Sequence, residues 1–188
     1  MIVSLAFAAA LVAHGPSAAQ DGPVRTAPQD GPIATAGPAT GETVEALRIR
    51  EAVAYANPLP RGAPEADYPL VAWCEALVNG HIALGETLTS ADDLDRDIIR
   101  LGRLEAADFR SALDAAAPRQ SAAGRAAAEA AAAEATAKWA PLKGQDEAVR
   151  SQAFGLFFGL PGRCEHAARR LRDNITTAPA TPEEVGLE

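Results

Sequence analysis

Aromatic and bulky aliphatic side chains are scarce in this 188-residue chain. It has five Phe, two Trp and two Tyr, and Leu, Ile, Val and Phe together supply only about a fifth of the residues, so roughly half of the hydrophobic share is alanine. A large core is excluded, and one domain of ordinary size is the most the chain can build. Long apolar runs are also missing. The longest, Ile2 to Ala13 (IVSLAFAAALVA), falls short of the about 20 residues that span a bilayer. Basic residues are outnumbered, 17 against 25 acids for a net charge of −8. That balance argues against a nucleic-acid partner, which is held through clustered Lys and Arg.

Cysteine is limited to Cys74 and Cys164. Neither sits in a CxxC or CxxCH, so a thioredoxin-type redox site and attached haem have no support. A metal site built from Cys74, His81, Cys164 and His166 fails on spacing, because residues 164 and 166 would point about 200° apart on a helix. No metal and no cofactor are expected. A disulfide between the two cysteines is the expectation instead, which suits an oxidising compartment.

The N-terminus carries the sign of that compartment. The apolar run meets a polar break at His14-Gly15-Pro16, and Ser17-Ala18-Ala19 places small residues at −3 and −1 of a cleavage site. Residues 1–19 therefore read as a secretory signal peptide, although no Lys or Arg precedes the apolar run. A periplasmic or secreted location is expected, with no stable membrane insertion once the signal is cut. Residues 20–41 are rich in Gly, Pro, Ala and Thr and contain QDGP twice. Such a segment buries too little apolar area to offset its ordering entropy and is expected to be a disordered linker.

Residues 42–175 carry helical signals throughout, and no segment alternates convincingly at period two. An all-α bundle of about five helices is expected, followed by a flexible tail at 176–188. Helix one should start at Thr40 or Thr43 and stop at Asn57-Pro58. Helix two should open with Asp67 as cap, with Leu70, Trp73, Leu77 and Leu84 on its core face and Gly80 and Gly85 weakening its second half. Ser90 should cap helix three, whose apolar stripe reads Leu94, Ile98, Leu101, Leu104, Phe109 and Leu113. Its acids Asp92, Asp93, Asp95 and Asp97 do not form a calcium loop, which needs a Gly at the sixth position and a distant Glu. The alanine-rich stretch 121–139 should form helix four, with Arg125–Glu129 and Glu134–Lys138 as four-apart ion pairs. Helix five should run from about Gly144 into the apolar stretch Ala153 to Leu160, and a last helix should follow Pro161. Gly155 and Gly159 form a GxxxG whose expected role is close packing against helix four.

Functional signals are few. No serine elbow, phosphate loop, Rossmann fingerprint or HExxH occurs, so no catalytic residue is assigned. The aromatics Trp73, Phe154, Phe157 and Phe158 are the expected apolar contact surface of a non-catalytic protein-interaction domain, whose partner would be another envelope protein. Two other classes compete with it. One is a small-ligand carrier with a pocket lined by those aromatics, and the other a hydrolase that brings Glu75, Glu165 and His166 together across the disulfide.

Overall fold

The computed structural model describes residues 41–157 and 159–187. The expected signal peptide and nearly all of the expected linker lie outside the described residues. Among those described there is no strand, and the fold is an all-α bundle. Its helices are α1 (Val44–Ala56), α2 (Asp67–Gly85), α3 (Asp93–Ala116), α4 (Ala122–Ala137), the single turn α5 (Ala140–Lys143), α6 (Glu147–Gly155) and α7 (Arg163–Arg172).

Local chemistry sets most boundaries. Thr43 caps α1 by accepting from the Ala46 amide at 3.1 Å. Ser121 does the same for α4 through Gly124 at 3.0 Å, and Asp146 for α6 through Val149 at 3.0 Å. Each satisfies a backbone N–H that the first turn leaves without a partner. Two expected caps move. Helix α3 is capped by Asp92 in a reciprocal box with Asp95, not by Ser90, whose amide instead donates to Glu147. Asp67 is the first residue of α2, and its carboxylate accepts from Tyr55 Oη at 2.8 Å. Helix α6 stops at Gly155, short of the expected Leu160, and Gly159 takes a φ of +92°. That value suits glycine, and Phe157, Gly159 and Leu160 lie outside any helix.

Helix α2 is the axis of the bundle, with α3, α4, α6 and α7 packed around it and α1 reaching the assembly through α7. Leu70, Val71, Cys74, Val78 and Leu84 of α2 are all within 2% of full burial. Because the bulk sits on α2, its neighbours present small residues to it. Ala128, Ala131 and Ala135 form the buried stripe of α4. The interior face of α3 is Ile99, Ala106, Phe109, Ala112, Leu113 and Ala116. Leu94 and Leu104, expected on that face, are 67% and 57% exposed. Helix α3 instead approaches α2 at Gly102, where a Cβ would come within 3.1 Å of Ile82.

The glycines also depart from expectation. Among the described residues, a Cβ at Gly155 or Gly159 would meet nothing within 4 Å, so no described helix packs against the GxxxG. Close approach occurs instead at Gly80, where a Cβ would sit 2.0 Å from the Trp139 indole, and at Gly85, 2.4 Å from Phe154. The two glycines read as weak points of α2 are the recesses that admit the aromatics of the chain following α4.

The Cys74 and Cys164 sulfurs lie 2.07 Å apart, at disulfide-bonding distance, and join α2 to the first turn of α7. The tail beyond α7 has a 3-10 turn at Glu183–Val185 that packs against α1.

Candidate functional site

Trp73 and Phe154, two of the four expected contact aromatics, are each only 2% exposed and belong to the core. Phe157 is half-buried, and Phe158 lies outside the described residues. What gathers the aromatics is His81, whose ring lies 4.3 Å from Phe154, 4.4 Å from Phe157 and 5.8 Å from Trp139 by centroid. Its Nε2–H donates to the Phe154 carbonyl at 2.9 Å, near the C-terminus of α6 where carbonyls lack helical partners. Burial holds the His81 pKa below the ordinary histidine value. A stacked, neutral imidazole of this kind closes a core; the cavities below are lined by other residues.

Glu75, Glu165 and His166 are not brought into one site. Glu75 is buried on α2 and ion-paired with Arg110 Nη2 at 2.7 Å. Glu165 is exposed on α7, 3.8 Å from Arg50, and lines a small cavity with Glu105 and Asp108. His166 is 3% exposed, and burial keeps its pKa low. The two carboxylates thus serve different cavities, although their neighbouring cysteines are bridged. On a helix, adjacent residues diverge by about 100°, which sends each Glu away from the sulfur beside it.

Two larger cavities carry convergent charge. The first, about 460 Å³, is a groove between α1, α7 and the C-terminal segment, with Val44, Leu47 and Ile175 as apolar walls. Arg48, Glu51, Arg169 and Arg170 also line it. Glu51 accepts from Arg169 at 2.7 Å and lies 3.4 Å from Arg170, whose Nε reaches Asp67 at 3.3 Å. Arg170 also donates to the Thr177 carbonyl, which draws the tail onto α7. The Arg163 guanidinium stacks over Tyr55 at 4.4 Å, and burial followed by the Asp67 charge drives the Tyr55 pKa upward. Burying charges is tolerable only when they are matched in this way. Two donors around it are left over: Arg163 Nε and Arg169 Nε are buried with no acceptor among the described residues.

The second cavity, about 290 Å³, is a cleft between α2, α3 and α4 over Glu75 and Arg110. Asp114, Arg125 and Glu129 line it, together with Tyr68, Leu113 and the alanines of α4. Glu134 and Lys138 form their expected pair at 3.7 Å. Arg125 and Glu129 do not pair, because Arg125 turns to the Gln120 carbonyl at 2.5 Å. Burial raises the Glu75 pKa, opposed chiefly by the Arg110 charge.

No protein-family model, curated protein or solved structure matches the chain. Function must therefore be argued from these two cavities. Neither was legible in the sequence: the groove joins residues 44–51 to residues 169–184, and no local motif marks such a meeting.

Proposed function

We propose that the chain is an exported, non-catalytic helical domain that binds another envelope protein through the groove between α1, α7 and the C-terminal segment. The occupant is an extended acidic segment with aliphatic side chains. The observation that carries this reading is the groove's lining, which sets Arg48, Arg169 and Arg170 beside the apolar Val44, Leu47 and Ile175. Charge complementarity supports the same occupant, since Arg48 has only a 4.0 Å contact with Glu45 and is half exposed. Val44, 84% exposed beside it, supplies apolar area. Trp73 and Phe154, two of the aromatics expected at a contact surface, are buried and take no part in this groove.

Export rests on the signal-like residues 1–19 and agrees with the paired cysteines. The envelope fraction should yield a chain that begins at Gln20. The test of binding is a photoreactive residue at Val44, compared with one at exposed Leu104 in the same cells. A discrete adduct should form from Val44 alone, and Arg48→Glu should reduce it about tenfold, the effect of losing one charge-assisted contact. An adduct from both positions, an adduct indifferent to Arg48→Glu, or no adduct would each overturn the reading.

A further inference from the structure

The segment that follows α7 lines the α1–α7 groove with its own chemistry. Thr177, Ala178, Ala180 and Glu184 contribute to the lining together with Val44 and Arg48 of α1. Further on, the turn at Glu183–Val185 packs against α1 itself. In sequence, Glu183-Glu184-Val185-Gly186-Leu187 is an acidic stretch with aliphatic side chains. That is the chemical class assigned above to the occupant of the groove.

This segment keeps its shape without help from the bundle. The Thr181 amide donates to Glu184 Oε2 at 2.9 Å, and the Glu184 amide donates to Thr181 Oγ1 at 3.3 Å, a capping box that fixes the turn locally. The Leu187 amide closes on the Pro182 carbonyl at 2.9 Å. Ties to the bundle are sparse. Arg170 donates to the Thr177 carbonyl at the root of the segment, and among the described residues no hydrogen bond reaches the bundle from beyond it. No residue from 176 to 187 is buried. The guanidiniums of the groove are withheld as well, because Arg48, Arg169 and Arg170 pair with Glu45, Glu51 and Asp67 and with neither Glu183 nor Glu184. A segment that shapes itself, buries little and forms no ion pair with the groove opens at low cost.

We propose that residues 179–187 are a displaceable strap, a tethered occupant that an incoming acidic segment lifts from α1 in order to bind. This inference rests on the groove reading above and adds a regulator to it. Tethering supplies what the contacts lack, since a linked segment acts at an effective concentration of about millimolar. The groove as it stands, about 460 Å³, has the size of a small-molecule pocket. Lifting the strap extends it along α1, where a longer segment can lie. The partner's apparent affinity then scales with the fraction of molecules whose strap is open.

The probe is a peptide of residues 179–188, titrated into the chain ended at Ala178, which keeps the tie between Arg170 and Thr177. Saturable amide shifts at Val44, Leu47 and Arg48 are expected at about millimolar peptide, and binding about tenfold weaker in the full chain, whose own strap competes. The same peptide with Val185→Asp should not bind. In cells, the photoreactive residue at Val44 should give about tenfold more adduct from the shortened chain. Full-length Val185→Asp, which frees the strap without deleting it, should do the same, and both variants should melt with the parent. Absence of peptide binding, or an adduct yield that is unchanged or lower in the two variants, would overturn the strap; an adduct that persists in the parent leaves the groove reading standing. No adduct from any chain would remove the groove reading and the strap with it.

Discussion

Glu105 is the residue whose environment is most one-sided. It is half-buried on α3 beside Asp108 and Glu165, and no basic group lies within 4 Å of it among the described residues. Burial first, then the Glu165 and Asp108 charges, raise its pKa above the usual carboxylate value. A raised folded-state pKa means that the native state binds the proton more readily than the unfolded chain. The stability this contributes is present below about pH 4.3 and is lost as pH rises through the folded value. Glu105→Gln should therefore stabilise the neutral-pH domain by about 0.5–1 kcal/mol, with the gain shrinking toward acid pH. His81 and His166 act in the opposite sense. Burial lowers both, so their contribution is complete above about pH 6.5 and falls away as pH drops through the folded values. Urea midpoints of the parent and Glu105→Gln between pH 4 and pH 8 separate the two effects. A variant no more stable than the parent at pH 7 would contradict the reading of Glu105.

At the scale of elements, the contact between α2 and the aromatics after α4 decides the sign of a substitution that propensity alone would misjudge. Alanine is favoured over glycine by about 1 kcal/mol inside a helix. At Gly80, however, the new methyl would occupy space 2.0 Å from Trp139 Cδ1, and the indole is 7% exposed with little room to retreat. Overpacking of this kind costs about 1–3 kcal/mol. Gly80→Ala should therefore destabilise the domain by up to about 2 kcal/mol net, while Gly155→Ala, with open space around it among the described residues, should be neutral or better. Thermal melts of the pair provide the check, and equal effects would refute the packing argument. The same contrast marks what was legible. The start of α1 at Thr43, the start of α6 near Asp146 and the extent of α4 follow from local chemistry and were readable, whereas the helix expected to run on to Pro161 stops at Gly155. The inward face of α3 was not, because Gly102 and Ala106 face α2 while Leu94 and Leu104 face outward. Counting leucines finds the bulkiest stripe of a helix, whereas packing selects the stripe that fits a neighbour already bulky. For the same reason Gly80 was legible as a weakness of α2 and not as a recess.

For the whole molecule, the Cys74–Cys164 link closes a separation of 90 residues and ties α7 to the central helix. The chain-entropy argument allows such a closure about 4–5 kcal/mol. That is a large part of an ordinary domain's about 5–15 kcal/mol, and 11 of the 26 buried hydrophobic residues described here are alanine. Replacing both cysteines by alanine should lower the melting temperature by roughly 10 °C or more. Because Arg169 and Arg170 sit on the same helix as Cys164, the groove should loosen in the same variant. A double variant that melts with the parent would show that packing alone fixes α7.

The contact between α1 and the turn at Glu183–Val185 brings the beginning and the end of the described chain to one corner of the bundle. Domains built this way hang from a single point. A load applied between the two ends would act first on α1 and the terminal turn, peeling them apart, and would reach the cross-linked pair α2 and α7 only afterwards. Joining Leu187 to Glu42 by a short peptide and opening the chain between α1 and α2 would keep every helix of the bundle, while moving the point of attachment away from the groove.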